Sequence, residues 1–129
     1  MILPTTLCFA AAAALVNFWL GMRCGKVRAA EKINFGDGGN ELMIRRMRAQ
    51  SNFIEQTPLT VILVGLVELA GKGGQWLAPA VAVFIIGRIC HGIGMDGNFK
   101  PGRGIGMLTS MLFQLVLIVV GVLTVLGKM

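Results

Sequence analysis

The chain has 129 residues, of which 55% are hydrophobic and 14% are charged, and its formal net charge is +6. A soluble domain carries about 25% charged residues, and a disordered chain combines low hydrophobicity with high net charge, so both classes are excluded. The basic residues lie beside long apolar segments, which indicates a membrane rather than nucleic acid as the partner.

Four apolar segments predict four transmembrane helices in an all-α, up-and-down bundle. Residues 2–22 carry no charge and can cross a bilayer core of about 30 Å. A secretory signal peptide is the alternative, but the basic start that it needs is missing. The third segment reaches spanning length only if it continues through Arg88 and His91. The prediction is one domain, 1–129, with helices over about 2–24, 41–70, 76–96 and 103–127.

The basic residues predict the orientation of the bundle. Seven Lys or Arg residues lie around the first connection, two around the third, and one each in the second connection and at the C-terminus. By the positive-inside rule, loops 25–40 and 97–102 face the cytoplasm and both termini face the opposite side.

Polar residues recur on one face of the second helix. Arg45, Arg48, Asn52 and Glu55 are spaced three, four and three residues apart, which puts them on the same side. Ionisable groups within a membrane span usually mark function. At 1.5 Å per residue, Glu55 on the second helix and Arg88 on the third helix both lie roughly 10 Å into the membrane. We therefore predict that Glu55 and Arg88 face the bundle interior, close enough to pair directly or through a ligand.

A structural ion pair that fixes helix register is the simpler interpretation of Glu55 and Arg88. It does not account for Arg48, Asn52 and His91, so a pocket open to the cytoplasmic face fits the whole set better. The three cysteines are widely spaced without a CxxC motif, and no metal site is predicted.

Residues that favour helix packing are also present. Asn17 and Gln114 each lie in mid-span, where a single amide usually joins two helices. Gly102, Gly106 and Ser110 are spaced four apart, which suits close packing of the fourth helix.

Residues 48–58 have the pattern Arg-Ala-x-x-Asn-x-x-Glu-x-x-Pro, which resembles the signature of the MAPEG superfamily of membrane-associated proteins in eicosanoid and glutathione metabolism. The glycine-rich loop at 36–39 and the segment 87–95 are similar to the bacterial branch. The resemblance covers nearly the whole chain in length, helix count and motif order. It favours a multi-pass protein of the bacterial inner membrane, although an organelle membrane stays open.

The resemblance implies a homotrimer with glutathione, as co-substrate, in a cleft between subunits. It implies a glutathione-dependent transferase or peroxidase that takes small lipophilic electrophiles from the lipid, without nucleic acid as a partner. The implied catalytic residue is Arg103, which matches the arginine that stabilises the glutathione thiolate. Gln50 would reach the site of a neighbouring subunit. The candidate glutathione-binding residues are Arg28, Arg48, Gln50, Asn52, Glu55, Arg88 and His91.

The chain contains no tyrosine, whereas many family members have tyrosines at positions matching His91, Met95 and Gln56. Arg103 therefore has two interpretations, a catalytic group and an interfacial anchor. Two alternative functions stay open: a non-catalytic protein of the same fold that binds an anionic lipid or metabolite, and a small transporter or channel. The sequence does not identify the electrophile or the pathway.

Overall fold

The computed structural model describes all 129 residues and contains four helices and no strands. Helix α1 spans Pro4–Glu31, α2 spans Glu41–Leu69, α3 spans Leu77–Met95 and α4 spans Pro101–Val125. Each helix is long and apolar enough to cross a membrane. The predicted all-α protein with four membrane spans is confirmed.

Helix α1 extends beyond its predicted end near residue 24 and stops at Glu31. Residues 25–31, which we predicted to be loop, are therefore helical. The extension is stabilised because Cys24 and Val27 on α1 pack against Met43 on α2. The helix ends at Lys32, whose φ of 54° is left-handed and whose N–H donates to the carbonyl oxygen of Arg28.

The connection between α1 and α2 is a short turn built by polar side chains. The carboxylate of Asp37 accepts a hydrogen bond from the N–H of Gly39 at 2.8 Å. The Asn40 side chain accepts a hydrogen bond from the N–H of Met43 at 2.9 Å and so caps α2. Helix α2 then continues through Pro58 to Leu69 without interruption.

Helices α2 and α3 form the centre of the bundle, because each of them packs against all three other helices, whereas α1 and α4 do not touch. The rings of Phe9, Phe84 and Phe113 join α1, α3 and α4, with ring centroids 5.4 and 5.9 Å apart. We call the end formed by residues 26–48 and 95–103 the basic end, and the other end the opposite end.

Glycines let α3 and α4 approach each other closely. A Cβ atom at Gly102 would overlap the carbonyl oxygen of Cys90, and one at Gly106 would overlap the Cβ atom of His91. Ser110 continues the same stripe and is buried. The predicted small-residue face of the fourth helix is confirmed.

Two amides join helices within the bundle, as predicted. The Gln50 side chain on α2 donates to Asn17 Oδ1 on α1 at 3.3 Å. Gln114 on α4 donates to the carbonyl oxygen of Gln56 at 3.0 Å and to Thr60 Oγ1 at 2.8 Å, both on α2.

Glu68, near the end of α2, caps the N-terminus of α1. Helix α1 has no side-chain cap of its own, but the Glu68 carboxylate accepts hydrogen bonds from the N–H groups of Thr5 and Thr6, each at 3.2 Å. The first N–H groups of a helix have no partner within the helix. The carboxylate supplies that partner and complements the positive end of the helix dipole.

Candidate functional site

The polar residues of α2, α3 and α4 meet in the half of the bundle nearest the basic end. Arg88 of α3 lies at the centre of this group of polar residues and is 1% exposed. The guanidinium donates from Nη1 to Ser110 Oγ of α4 at 3.1 Å, and from Nη2 to Asn52 Oδ1 of α2. Its Nε has no hydrogen-bond partner. Arg88 therefore links three helices inside the bundle.

Arg48 and Glu55 lie on the outside of α2, with side chains 60% and 57% exposed. The Nη1 atom of Arg48 is 3.9 Å from Glu55 Oε1, so the two charges form a loose ion pair along the helix. Glu55 follows Arg46 of the basic end by nine residues, which is about 14 Å at 1.5 Å per residue. An ion pair is thus exposed on the surface of a helix able to span a membrane.

The predicted interior pairing of Glu55 with Arg88 is wrong for this single chain, because only Arg88 faces inward. The reason lies in the helical period. At 3.6 residues per turn, Arg48 and Glu55 differ by about 20° around α2, while Asn52 is rotated from them by about 40–60°. Asn52 consequently turns towards Arg88, and Glu55 stays with Arg48 on the outer surface.

Gln50 and Arg28 take up contacts within their own chain. Besides its bond to Asn17, Gln50 accepts a long hydrogen bond from Cys24 Sγ at 3.9 Å. Arg28, in the last turn of α1, donates to the carbonyl oxygen of Gly36 at 2.8 Å. Both side chains are half-buried between α1 and the start of α2.

His91 and Arg103 belong to the contact between α3 and α4. His91 is 3% exposed and packs against Gly106, one turn after Arg103 on α4. Arg103 lies in the first turn of α4 and is exposed. The structure therefore brings Asn52, Arg88 and His91 together inside the bundle, while Arg103 lies at its surface.

Asp96 is a polar centre that the sequence analysis missed. Its carboxylate is 3% exposed and pairs with Arg23 of α1 and Arg46 of α2, the latter at 3.1 Å. We call these three residues the Asp96 cluster. The available signal was that Arg23 in the last third of α1, Arg46 in the first third of α2 and Asp96 directly after α3 are expected at the same end of an up-and-down bundle.

An open groove runs along α2 and α4 beside the buried Arg88. Its volume is about 490 Å³. Ser110, the residue bonded to Arg88, lies in its wall. The wall is mixed, and its residues are Gln56, Gly104, Met107, Leu108, Ser110, Met111 and Gln114. An apolar molecule entering from the side would thus meet hydroxyl and amide groups.

The model of the MAPEG family matches residues 6–123, which is nearly the entire sequence. The chain belongs to the MAPEG family. Searches of curated proteins and of solved structures gave no significant match.

Membership in the MAPEG family makes this a membrane protein of glutathione and eicosanoid metabolism. Together with the four candidate spans, it identifies a multi-pass integral membrane protein in a lipid bilayer. MAPEG proteins generally use glutathione and are commonly trimers, and the four-helix bundle agrees with that fold.

Proposed function

We propose that this MAPEG protein is a membrane-bound glutathione-dependent transferase or peroxidase that acts on lipophilic electrophiles. The observation that carries the proposal is the exposed Arg48–Glu55 pair on a membrane-spanning helix. A charged side chain at the centre of a bilayer costs roughly 2.5–3.5 kcal/mol on insertion scales. The pair therefore needs a cover other than lipid, which a neighbouring chain and a charged ligand would provide.

A homotrimer with its ligand between subunits would give the Arg48–Glu55 face that cover. On the same helix, Asn52 contacts the buried Arg88, and Gln56, the residue after Glu55, lies in the wall of the groove between α2 and α4. A ligand held at the outer ion pair would therefore lie beside Asn52 and near the groove. Arg28 and Gln50 already have partners within their own chain, so we propose them only as secondary contacts.

Glutathione fits the charges of this site. It carries two carboxylates and one ammonium group, and so it needs several cations and one anion. Arg48 supplies an exposed guanidinium group that suits a carboxylate, and Glu55 supplies the partner for the ammonium group. Arg88 is buried and bonded to Asn52 and Ser110, so we propose that it contributes positive charge from behind Asn52 rather than a direct contact. Asn52 adds an amide for the peptide backbone, and His91 lies within the same region.

Arg103 is the residue that we propose for activation of the thiol. A free thiol with a pKa near 8.5 is only a few per cent thiolate at neutral pH. The Arg103 side chain is exposed and forms no ion pair with an acidic side chain of the chain, so its charge is free to act on a bound thiol. Glutathione supplies the nucleophilic sulfur, and the groove between α2 and α4, whose wall contains Met107, Leu108 and Met111 beside polar groups, would receive the electrophile.

We also propose that the basic end faces the cytoplasm. Lysine and arginine residues concentrate there, whereas the opposite end has only Lys72 and Lys128. The positive-inside rule then directs both termini to the other side, as in a bacterial inner membrane. Glutathione from the cytoplasm would reach Arg48 and Arg103 directly.

Glutathione binding is the first test of the proposal. We expect the detergent-purified protein to bind glutathione in calorimetry, and Arg48→Ala to weaken binding by about tenfold or more, because a charge-assisted pair contributes roughly 1.5–3 kcal/mol. Lys26→Ala is the matched control, since Lys26 is another exposed basic residue at the same end. Equal affinities of the wild type and Arg48→Ala would contradict the assigned site.

Thiolate formation is a separate prediction for Arg103. We expect Arg103→Ala to bind glutathione but to lower the thiolate absorbance and the rate with a panel of electrophiles by about tenfold, which corresponds to one unit of thiol pKa. Lys100→Ala, three residues away, should keep both signals. Unchanged thiolate in Arg103→Ala would make Arg103 an anchor, and binding without turnover of any electrophile would favour the non-catalytic alternative.

A further inference from the structure

The Asp96 cluster ties three helices together at the basic end. Besides its ion pair with Asp96, Arg23 donates to the carbonyl oxygen of Gly92 at 2.9 Å, and its guanidinium lies 4.8 Å from the centre of the Trp19 ring. Arg46 donates to the carbonyl oxygen of Arg23 at 2.9 Å. Each guanidinium therefore binds both the carboxylate and a backbone carbonyl of another helix.

The cluster is directly connected to the first turn of α4. Asp96 follows α3, and its N–H donates to the carbonyl oxygen of Ile93 at 3.2 Å. Two residues before it, Gly94 faces the backbone of the next turn so closely that a Cβ atom there would be 2.8 Å from the carbonyl oxygen of Phe99 and would touch the backbone nitrogen of Arg103. The end of α3 is therefore packed directly against the backbone of Arg103.

On the other side, the cluster is connected to the polar face of α2. Arg46 precedes Arg48 by two residues on the same helix, and its Nε and Nη2 atoms lie 3.4 and 3.1 Å from the two carboxylate oxygens of Asp96. A contact through two atoms on each side fixes the orientation of the Asp96 carboxylate relative to the Arg46 guanidinium as well as the distance between them. One buried carboxylate therefore spans the gap between the helix with Arg48 and the turn that precedes Arg103.

We propose that Asp96 is a positioning residue that holds Arg103 of α4 in register with the Arg48 face of α2. This inference rests on the proposed function, because it names what aligns the two halves of that site. Asp96 itself is buried beneath two arginines and does not reach a bound substrate. Its effect on chemistry is through the placement of Arg103.

The test compares Asp96→Asn with Glu68→Gln in the full-length purified protein. Both substitutions remove a carboxylate that holds helices together, but Glu68 lies at the opposite end of the bundle. Hydrogen–deuterium exchange of residues 96–103 reports the placement of the turn without any ligand. Thiolate absorbance at saturating glutathione, together with KM for glutathione and kcat measured with a reactive electrophile at saturation, reports its effect on the site.

We expect Asp96→Asn to raise exchange in residues 96–103 and to lower thiolate absorbance and kcat by about tenfold or more, because small displacements of an oriented group are costly. KM for glutathione should change by less than about threefold, since the Arg48 face still binds. Asp96→Glu, which keeps the charge, should recover most of the thiolate. Glu68→Gln should keep both the exchange of the turn and the thiolate.

Unchanged exchange of residues 96–103 in Asp96→Asn would overturn the proposal, as would raised exchange with full thiolate. If Asp96→Asn does not fold, Arg46→Lys replaces it, because lysine keeps the charge and loses the two-point contact. A wild type that binds no glutathione would contradict the proposed function alone, and the exchange measurement would then decide the role of Asp96 by itself.

Discussion

Replacement of Arg88 by alanine is expected to lower the free energy of unfolding by about 3–5 kcal/mol, since it combines two costs that are each large in a packed interior. It leaves a cavity at a position that is 1% exposed. It also removes the donors to Asn52 Oδ1 and Ser110 Oγ, which then have no partner inside the bundle. Equilibrium unfolding in mixed detergent micelles, followed by circular dichroism, measures the loss.

Arg45→Ala is the matched control for this experiment. Arg45 is an exposed arginine of α2 whose partner, Glu41, is also exposed, and such surface pairs contribute about 0–1 kcal/mol. We expect its unfolding curve to stay within that range of the wild type. An Arg88→Ala variant as stable as the control would show that the buried guanidinium does not hold the three helices together.

Gly106→Ala is expected to separate α3 from α4 and to cost about 3 kcal/mol, the upper end of the range for overpacked sites. The new methyl group would overlap the Cβ atom of His91 and would lie 2.7 Å from the carbonyl oxygen of Gly87. Neither contact can be relieved by turning a flexible side chain, so the helices themselves must move. The measurement is the same unfolding titration, with size-exclusion chromatography to follow assembly.

Gly121→Ala provides the comparison on the same helix. A Cβ atom at Gly121 has no neighbour within 4 Å, so alanine should leave stability unchanged or raise it by up to about 1 kcal/mol through its better helix propensity. Equal stability of the two variants would mean that α3 and α4 tolerate a wider spacing than the structure has.

The sequence predicted the number and kind of helices because apolar segments of membrane-spanning length leave few alternatives. The family resemblance was confirmed over residues 6–123. The sequence was less informative about which part of a polar face turns inward. Arg48, Asn52 and Glu55 do share one side of α2, but a rotation of some 50° separates an interior contact from an exposed one, and only packing against α3 sets that rotation.

The Asp96 cluster was missed for a different reason. Asp96 and Arg23 are 73 residues apart in the chain, and no local spacing rule joins two residues at that separation. The prediction of a loop over 25–31 also depended on local charge alone, whereas the packing of Val27 against Met43 keeps the segment helical. Matching the depth of charged residues at neighbouring helix ends would have indicated the cluster.

The bond between Glu68 and the start of α1 has a consequence for how the protein is made. The N–H groups of Thr5 and Thr6 obtain their acceptor from a residue more than 60 positions later in the chain. Until the ribosome has synthesised α2 to its last turn, the leading end of α1 must satisfy these groups with water or lipid headgroups. The start of α1 therefore completes its hydrogen bonds only once α2 lies beside it, so the first helix cannot reach its final state before the second has been made.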